Sequence, residues 1–131
     1  MCAASAALAA SDPVPPPELE ATRKALAAAV KAHDLKAIVA LSRFPVAFSG
    51  YEAPEEITEA DFLSDENSYG ALFYEGDDDF VACLATAKLE YQASEPDFPG
   101  SPWYIDCTGN EYFFGLVGDK WRFTSYMNIN E

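Results

Sequence analysis

The chain has 131 residues, half of them hydrophobic, and carries 22 acidic against 8 basic side chains for a formal charge of −14. That length favours one domain with its own core, and the negative balance disfavours a phosphate backbone, so no nucleic-acid partner is expected. No apolar run approaches the ~20 residues of a membrane-crossing helix.

The acidity is local. From Glu52 to Ala87 the sequence holds eleven carboxylates and no Lys or Arg, whereas the stretch before Phe44 is near neutral. A solvated, self-repelling surface is the plain reading; an acidic patch for a basic partner is the sharper one. The opening, MCAASAALAASDPVPPPE, is Ala-rich and then Pro-rich. Residues 1–17 read as a disordered tail or as the remnant of an export signal. Ala7-Leu8-Ala9 fits a signal-peptidase site, and Cys2 fits a lipidated first residue. Export to the periplasm or the medium is therefore expected, with cytoplasmic residence as the other option. A single α+β domain should fill 18–131.

Pro17, Glu18 and Glu20 suit the start of a helix, and Leu19, Leu26 and Val30 fall on one face with Thr22 and Ala29 beside them, so a helix is expected over 18–32. Arg23, Lys24 and Lys31 point elsewhere in that reading. Asp34 can cap a second helix, Leu35–Arg43, with Leu35, Ile38 and Val39 inward and Pro45 as its stop. FPVAF starts an extended segment. Thr58 and Asp61 stand at capping-box spacing before a short helix anchored by Phe62 and Leu63. ENSYGALFYEGDDD reads as turns, with Leu72 and Phe73 plugged into the core. GDDDF lacks the alternating ligand spacing of a calcium loop and reads as a solvated turn.

From Phe80 the period falls to two. FVACLATAKLEYQ puts Val81, Cys83, Ala85, Ala87, Leu89 and Tyr91 on one face of a long strand. WYIDCT places Trp103, Ile105 and Cys107 together. Gly118-Asp119-Lys120 turns the chain, and an even loop aligns Tyr112, Phe114 and Leu116 with Trp121, Phe123 and Ser125. Phe113, Arg122, Thr124 and Tyr126 then occupy the opposite face. Cys83 and Cys107 could pair in an exported protein; two free, buried thiols are the adopted reading.

Helices followed by a hairpin-rich antiparallel sheet make an α+β domain. Through HDLKAIVALSRFPVAF, ITEADFLSD and FFGLVGDKWRFTSY, the chain resembles the nuclear-transport-factor-2-like (cystatin-like) superfamily. The resemblance implies a curved sheet wrapped around the first helix as a cone, as in small exported members of unassigned activity. It also implies that a cone-shaped pocket is plausible, without implying catalysis.

The candidate sites follow. Trp103, Phe114, Trp121 and Phe123 would line the cone around a small apolar molecule, with Arg122 and Tyr126 able to contact a ligand. A protein partner, or a second copy forming a homodimer, would meet Phe113, Arg122, Thr124 and Tyr126 on the other face. The favoured function is a non-catalytic, exported binding or accessory domain. A lyase- or isomerase-like enzyme would use Asp106 with Tyr126 or Tyr104, and His33 is a further weak catalytic candidate. An acidic inhibitor or immunity-type protein is the third reading. No cofactor and no metal site are expected: the chain has no C-x-x-C, no zinc pair, no phosphate loop and no G-x-S-x-G.

Overall fold

Proline at position 17 opens the first helix, α1 (Pro17–Lys31), with Glu18 and Glu20 in its first turn and Lys31 in its last. The computed structural model describes residues 13–49, 55–64 and 66–129. Cys2, the Ala7-Leu8-Ala9 site and Glu52 lie outside the described residues. Leu19, Leu26 and Val30 are wholly excluded from solvent, as their spacing requires; each contributes about 1.5–3 kcal/mol.

Arg23 corrects the expectation that it points outward. It lies one turn from Leu19 on the same stripe and is 5% exposed. Its guanidinium donates to the carbonyls of Ala87 at 2.7 Å and Leu84 at 3.2 Å, and its Nε pairs with Glu20 at 2.9 Å. Those two carbonyls end a later helix, so a cation sits where the helix dipole is negative.

Helix α2 (Leu35–Ala40) is capped by Asp34, whose Oδ1 accepts the Ala37 N–H at 3.1 Å. It ends sooner than expected, because Ser42–Ser49 forms strand β1. Pro45 lies inside that strand rather than stopping a helix. It falls where the pairing with the last strand is irregular, between Ser42 and Ala47, so its missing N–H costs the ladder nothing. Strand β2 (Glu55–Ile57) pairs antiparallel with β1. In α3 (Glu59–Ser64), Thr58 Oγ1 accepts the Asp61 N–H at 3.1 Å, and Phe62 is buried. Leu63, expected as a second anchor, is exposed.

The next two segments differ from expectation. The stretch read as turns contains α4 (Glu66–Phe73), which buries Tyr69, Leu72 and Phe73 at i, i+3 and i+4. A 3₁₀ turn (Tyr74–Gly76) follows. The stretch read as a long strand is α5 (Asp78–Thr86), and only Glu90–Tyr91 remains as strand β3. Asp77 accepts from the N–H groups of Asp79 and Phe80, while Asp78 and Asp79 occupy the first turn. The acidic run is thus a helix start rather than a solvated turn.

Strands β4 (Trp103–Cys107), β5 (Asn110–Val117) and β6 (Lys120–Asn128) complete a six-stranded sheet in the order β2-β1-β6-β5-β4-β3. Helices precede the body of the sheet and the class is α+β, as expected. The sheet is mixed rather than wholly antiparallel, since β1 runs parallel to β6. The even loop holds near the turn, pairing Leu116 with Trp121 and Phe114 with Phe123. An irregularity then shifts the register, so Phe113 faces Ser125 and Tyr112 faces Tyr126. Tyr126 therefore joins the core row where Ser125 was expected.

Cys83 and Cys107 form a disulfide with their Cα atoms 6.0 Å apart, which overturns the reading of two free thiols. Helix α5 turns Cys83 toward β4 at a spacing that a disulfide spans. Among the described residues, no helix is long and apolar enough to cross a membrane.

Replacing Arg23 with alanine strands the carbonyls of Leu84 and Ala87. Urea unfolding of Arg23→Ala should show a loss of about 2–3 kcal/mol relative to the unaltered chain. A loss under about 0.5 kcal/mol would mean that water replaces the guanidinium at no cost.

Candidate functional site

The rings expected to line a cavity belong to the packed core or its margin. Trp103, Phe114 and Phe123 are 5%, 0% and 1% exposed, and Trp121 is half-buried at the margin of the same core. Tyr112 stacks on Phe73 with ring centres 5.9 Å apart and touches Phe80, Phe123 and Tyr126. Its hydroxyl donates to the Leu72 carbonyl, and burial, with lesser effects of Tyr126 and Tyr74, holds that phenol well above its usual range. Tyr126 donates to Asn110 Oδ1, while Asn110 Nδ2 donates to Tyr74 Oη at 2.6 Å and to the Cys107 carbonyl at 3.2 Å. Asn110 is thus the polar hub of this interior.

The opposite sheet face is partly roofed by the chain itself. Phe98 sets its ring edge-on to Phe113 at 4.9 Å, and Ser101 Oγ lies 2.5 Å from Thr124 Oγ1. Phe113, Thr124 and Tyr126, expected to face a partner, are all buried. Arg122 is half-exposed and donates to the carbonyl of Trp121 at 2.9 Å. Asp106 is exposed, and its Oδ1 accepts the Gly109 N–H at 2.8 Å, closing the turn between β4 and β5. That position corrects the reading of Asp106 as a pocket acid. Tyr126 pairs with Asn110 and not with it.

Beside Asp106 the sheet crowds negative charge. Asp106 pairs across the strands with Glu111, and Glu90 with Tyr104. Glu111 is half-buried, and its carboxyl is raised from 4.5 to about 7, first by burial and then by the charges of Asp106, Asp97 and Glu90. Burial and the same carboxylates raise the Tyr104 phenol. Among the described residues, no three of His, Cys, Asp or Glu are placed to hold a metal ion.

The richest chemistry lies on the helical side, in a cleft of about 370 Å³ lined by His33, Leu35, Tyr69 and Glu75. Each residue is fixed by a different local device. His33 follows α1 in the left-handed region at φ 54°. Its ring stacks on that of Tyr69, with centroids 4.3 Å and planes 29° apart. Tyr69 is anchored through its hydroxyl, which donates to the Val30 carbonyl near the end of α1, and burial raises its phenol. Tyr74, Glu75 and Gly76 are left-handed in succession, at φ 52°, 57° and 74°. Gly76 is required there: a Cβ would stand 3.0 Å from the Val30 carbonyl and 3.1 Å from Tyr69 Oη.

Sequence reasoning weighed His33 alone and set Leu35 in the core; it missed Tyr69 and Glu75. The available signal was helical spacing in Tyr69, Leu72 and Phe73, obscured by the neighbouring Gly and Asp residues. A second cleft, of about 250 Å³, runs over the disulfide between Tyr74, Asp77, Phe80 and Thr108.

No protein-family model matches the chain, and no curated protein matches it. Among solved structures, it is similar to the crystal structure of an NTF-2-like protein of unknown function from Shewanella oneidensis MR-1. The two share 11% sequence identity over 84% of this chain and 94% of that one, with a TM-score of 0.41.

Glu111 makes the pH dependence testable. Its pKa is higher in the folded than in the unfolded chain, so between about 4.5 and 7 the folded state binds more protons. Its contribution therefore favours folding at low pH and is lost as pH rises through about 7. Subtracting the stability of Glu111→Gln from that of the unaltered chain, by urea unfolding at several pH values, should give a difference that declines across this window. A flat or rising difference would contradict the assignment.

Proposed function

We propose that this chain is a non-catalytic binding domain of an oxidising, extracytoplasmic compartment, and that its ligand site is the cleft of His33, Leu35, Tyr69 and Glu75. The observation that carries the reading is the cleft itself. It joins an imidazole, a phenol, a carboxylate and an aliphatic side chain in about 370 Å³, within the range of small-molecule sites. Two of its lining residues, His33 and Glu75, lie in the left-handed region, and unusual backbone of this kind concentrates at binding sites.

Two further observations support the placement outside the cytosol and the absence of chemistry. The Cys83–Cys107 bond joins α5 to β4, and such bonds persist mainly where the surroundings are oxidising. The residues considered for proton transfer are not brought together. Asp106 closes an exposed turn, Tyr126 is bound to Asn110, and His33 stacks on Tyr69.

A fragment screen read by amide chemical shifts tests the site. Hits should perturb His33, Leu35, Tyr69 and Gly76, and Leu35→Trp should abolish them by filling the cleft while thermal stability stays the same. Hits that ignore this cleft, or that survive its filling, would refute the reading. The compartment has its own test. Protein recovered from an oxidising compartment should show no reactivity at Cys83 or Cys107 toward a thiol reagent until it is reduced.

A further inference from the structure

We infer that the cleft takes a small organic amine, its ammonium set against Glu75 and its apolar body against Leu35 and the stacked rings of His33 and Tyr69. The inference rests on the cleft being the ligand site and adds the class of ligand.

Three features place negative potential there. Glu75 is the one carboxylate among the described lining residues. It is held over α4 by the absence of a side chain at Gly70: a Cβ at that position would lie 3.3 Å from Glu75 Cγ and 3.4 Å from Oε2. The left-handed run at Tyr74, Glu75 and Gly76 fixes the backbone that presents it. The second feature is the end of α1. The Val30 carbonyl accepts from Tyr69 Oη and, at 3.1 Å, from the His33 N–H, so the negative pole of a 15-residue helix is directed at the cleft wall. The third is the formal charge of −14, which raises the local concentration of cations and lowers that of anions.

The other walls suit a short apolar body. Leu35 is half-buried and aliphatic, and the His33–Tyr69 stack presents aromatic surface beside the carboxylate. Aromatic surface near an ammonium adds attraction of its own. An anionic ligand would meet Glu75 and the helix end, with the His33 imidazole in its favour among the described lining residues.

The test uses the full chain and three probes of matched shape, n-butylamine hydrochloride, 1-butanol and sodium butyrate, at one ionic strength, with amide shifts as the readout. The amine should give saturable shifts at His33, Leu35, Tyr69 and Glu75 and bind about twofold to fivefold tighter than the alcohol. Glu75→Gln, with an unchanged thermal midpoint, should erase that margin. The ligand class is overturned if the amine holds no advantage over the alcohol or the butyrate, if the margin survives Glu75→Gln, or if the shifts spread over the acidic surface. In the first case, alcohol or butyrate shifts confined to the cleft would leave the site itself standing. If none of the three probes moves those amides, the site falls as well.

Discussion

A guanidinium removed from water must be given acceptors, and that constraint organises the helical layer. Arg23 reaches from α1 to the end of α5 and satisfies the carbonyls of Leu84 and Ala87, while Glu20 balances part of its charge. The disulfide fixes the same helix from its other side to β4. Helix α5 is thus held to α1 by a charged hydrogen bond and to the sheet by a covalent one. Its Phe80 and Leu84 close the core over Tyr112 and Phe73. Without α5 in place, Tyr112 and its neighbours would face water on the helical side. The fold therefore rests on a charged side chain in the middle of an apolar stripe, which hydrophobic periodicity alone passes over.

Much of the sheet was legible because alternation is a direct consequence of the pleat. Trp103, Ile105 and Cys107 share a buried face, and the hairpin around Gly118 and Asp119 has the even loop that its apolar rows require. The register shift near Phe113 was not legible, since both Ser125 and Tyr126 continue a plausible row and only packing against Tyr112 and Asn110 decides between them. The segment from Phe80 misled for a related reason. Its alanines and Cys83 read as apolar at alternate positions, but small residues tolerate either period. The deciding signal lay upstream, in Asp77, which satisfies two N–H groups at the start of α5.

The cleft was the least legible part. Its residues come from the end of α1, the start of α2, α4 and the turn after it. No local pattern links positions 33, 35, 69 and 75. What joins them is the Val30 carbonyl, where Tyr69 and His33 both find a partner, and the close approach of Gly76 to that same atom. The conspicuous aromatic run near the C-terminus answers a different need. An α+β domain of this size must exclude water from one face of its sheet, and large rings do so with few residues. Conspicuous aromatics and the cleft are therefore separate features here.

The distribution of charge follows the same division. Many acids are used locally and cost little: Asp34 and Asp77 cap helices, and Glu18, Glu20, Glu59, Asp61, Asp78 and Asp79 sit in first turns where the dipole favours them. The acids around Tyr104 are crowded even where they are used, as Asp106 is in closing its turn. Asp106 and Glu111 face each other across adjacent strands, where like charges oppose pairing, and burial first, then the charge of Asp106, raises the Glu111 carboxyl to about 7. A strand pair carrying that repulsion is retained when other forces fix its register independently. Here the disulfide at Cys107 and the Asn110 hub lie at the same end of the hairpin as Asp106 and Glu111. The covalent bond and the buried amide tolerate a repulsion that the ladder alone would relieve by fraying.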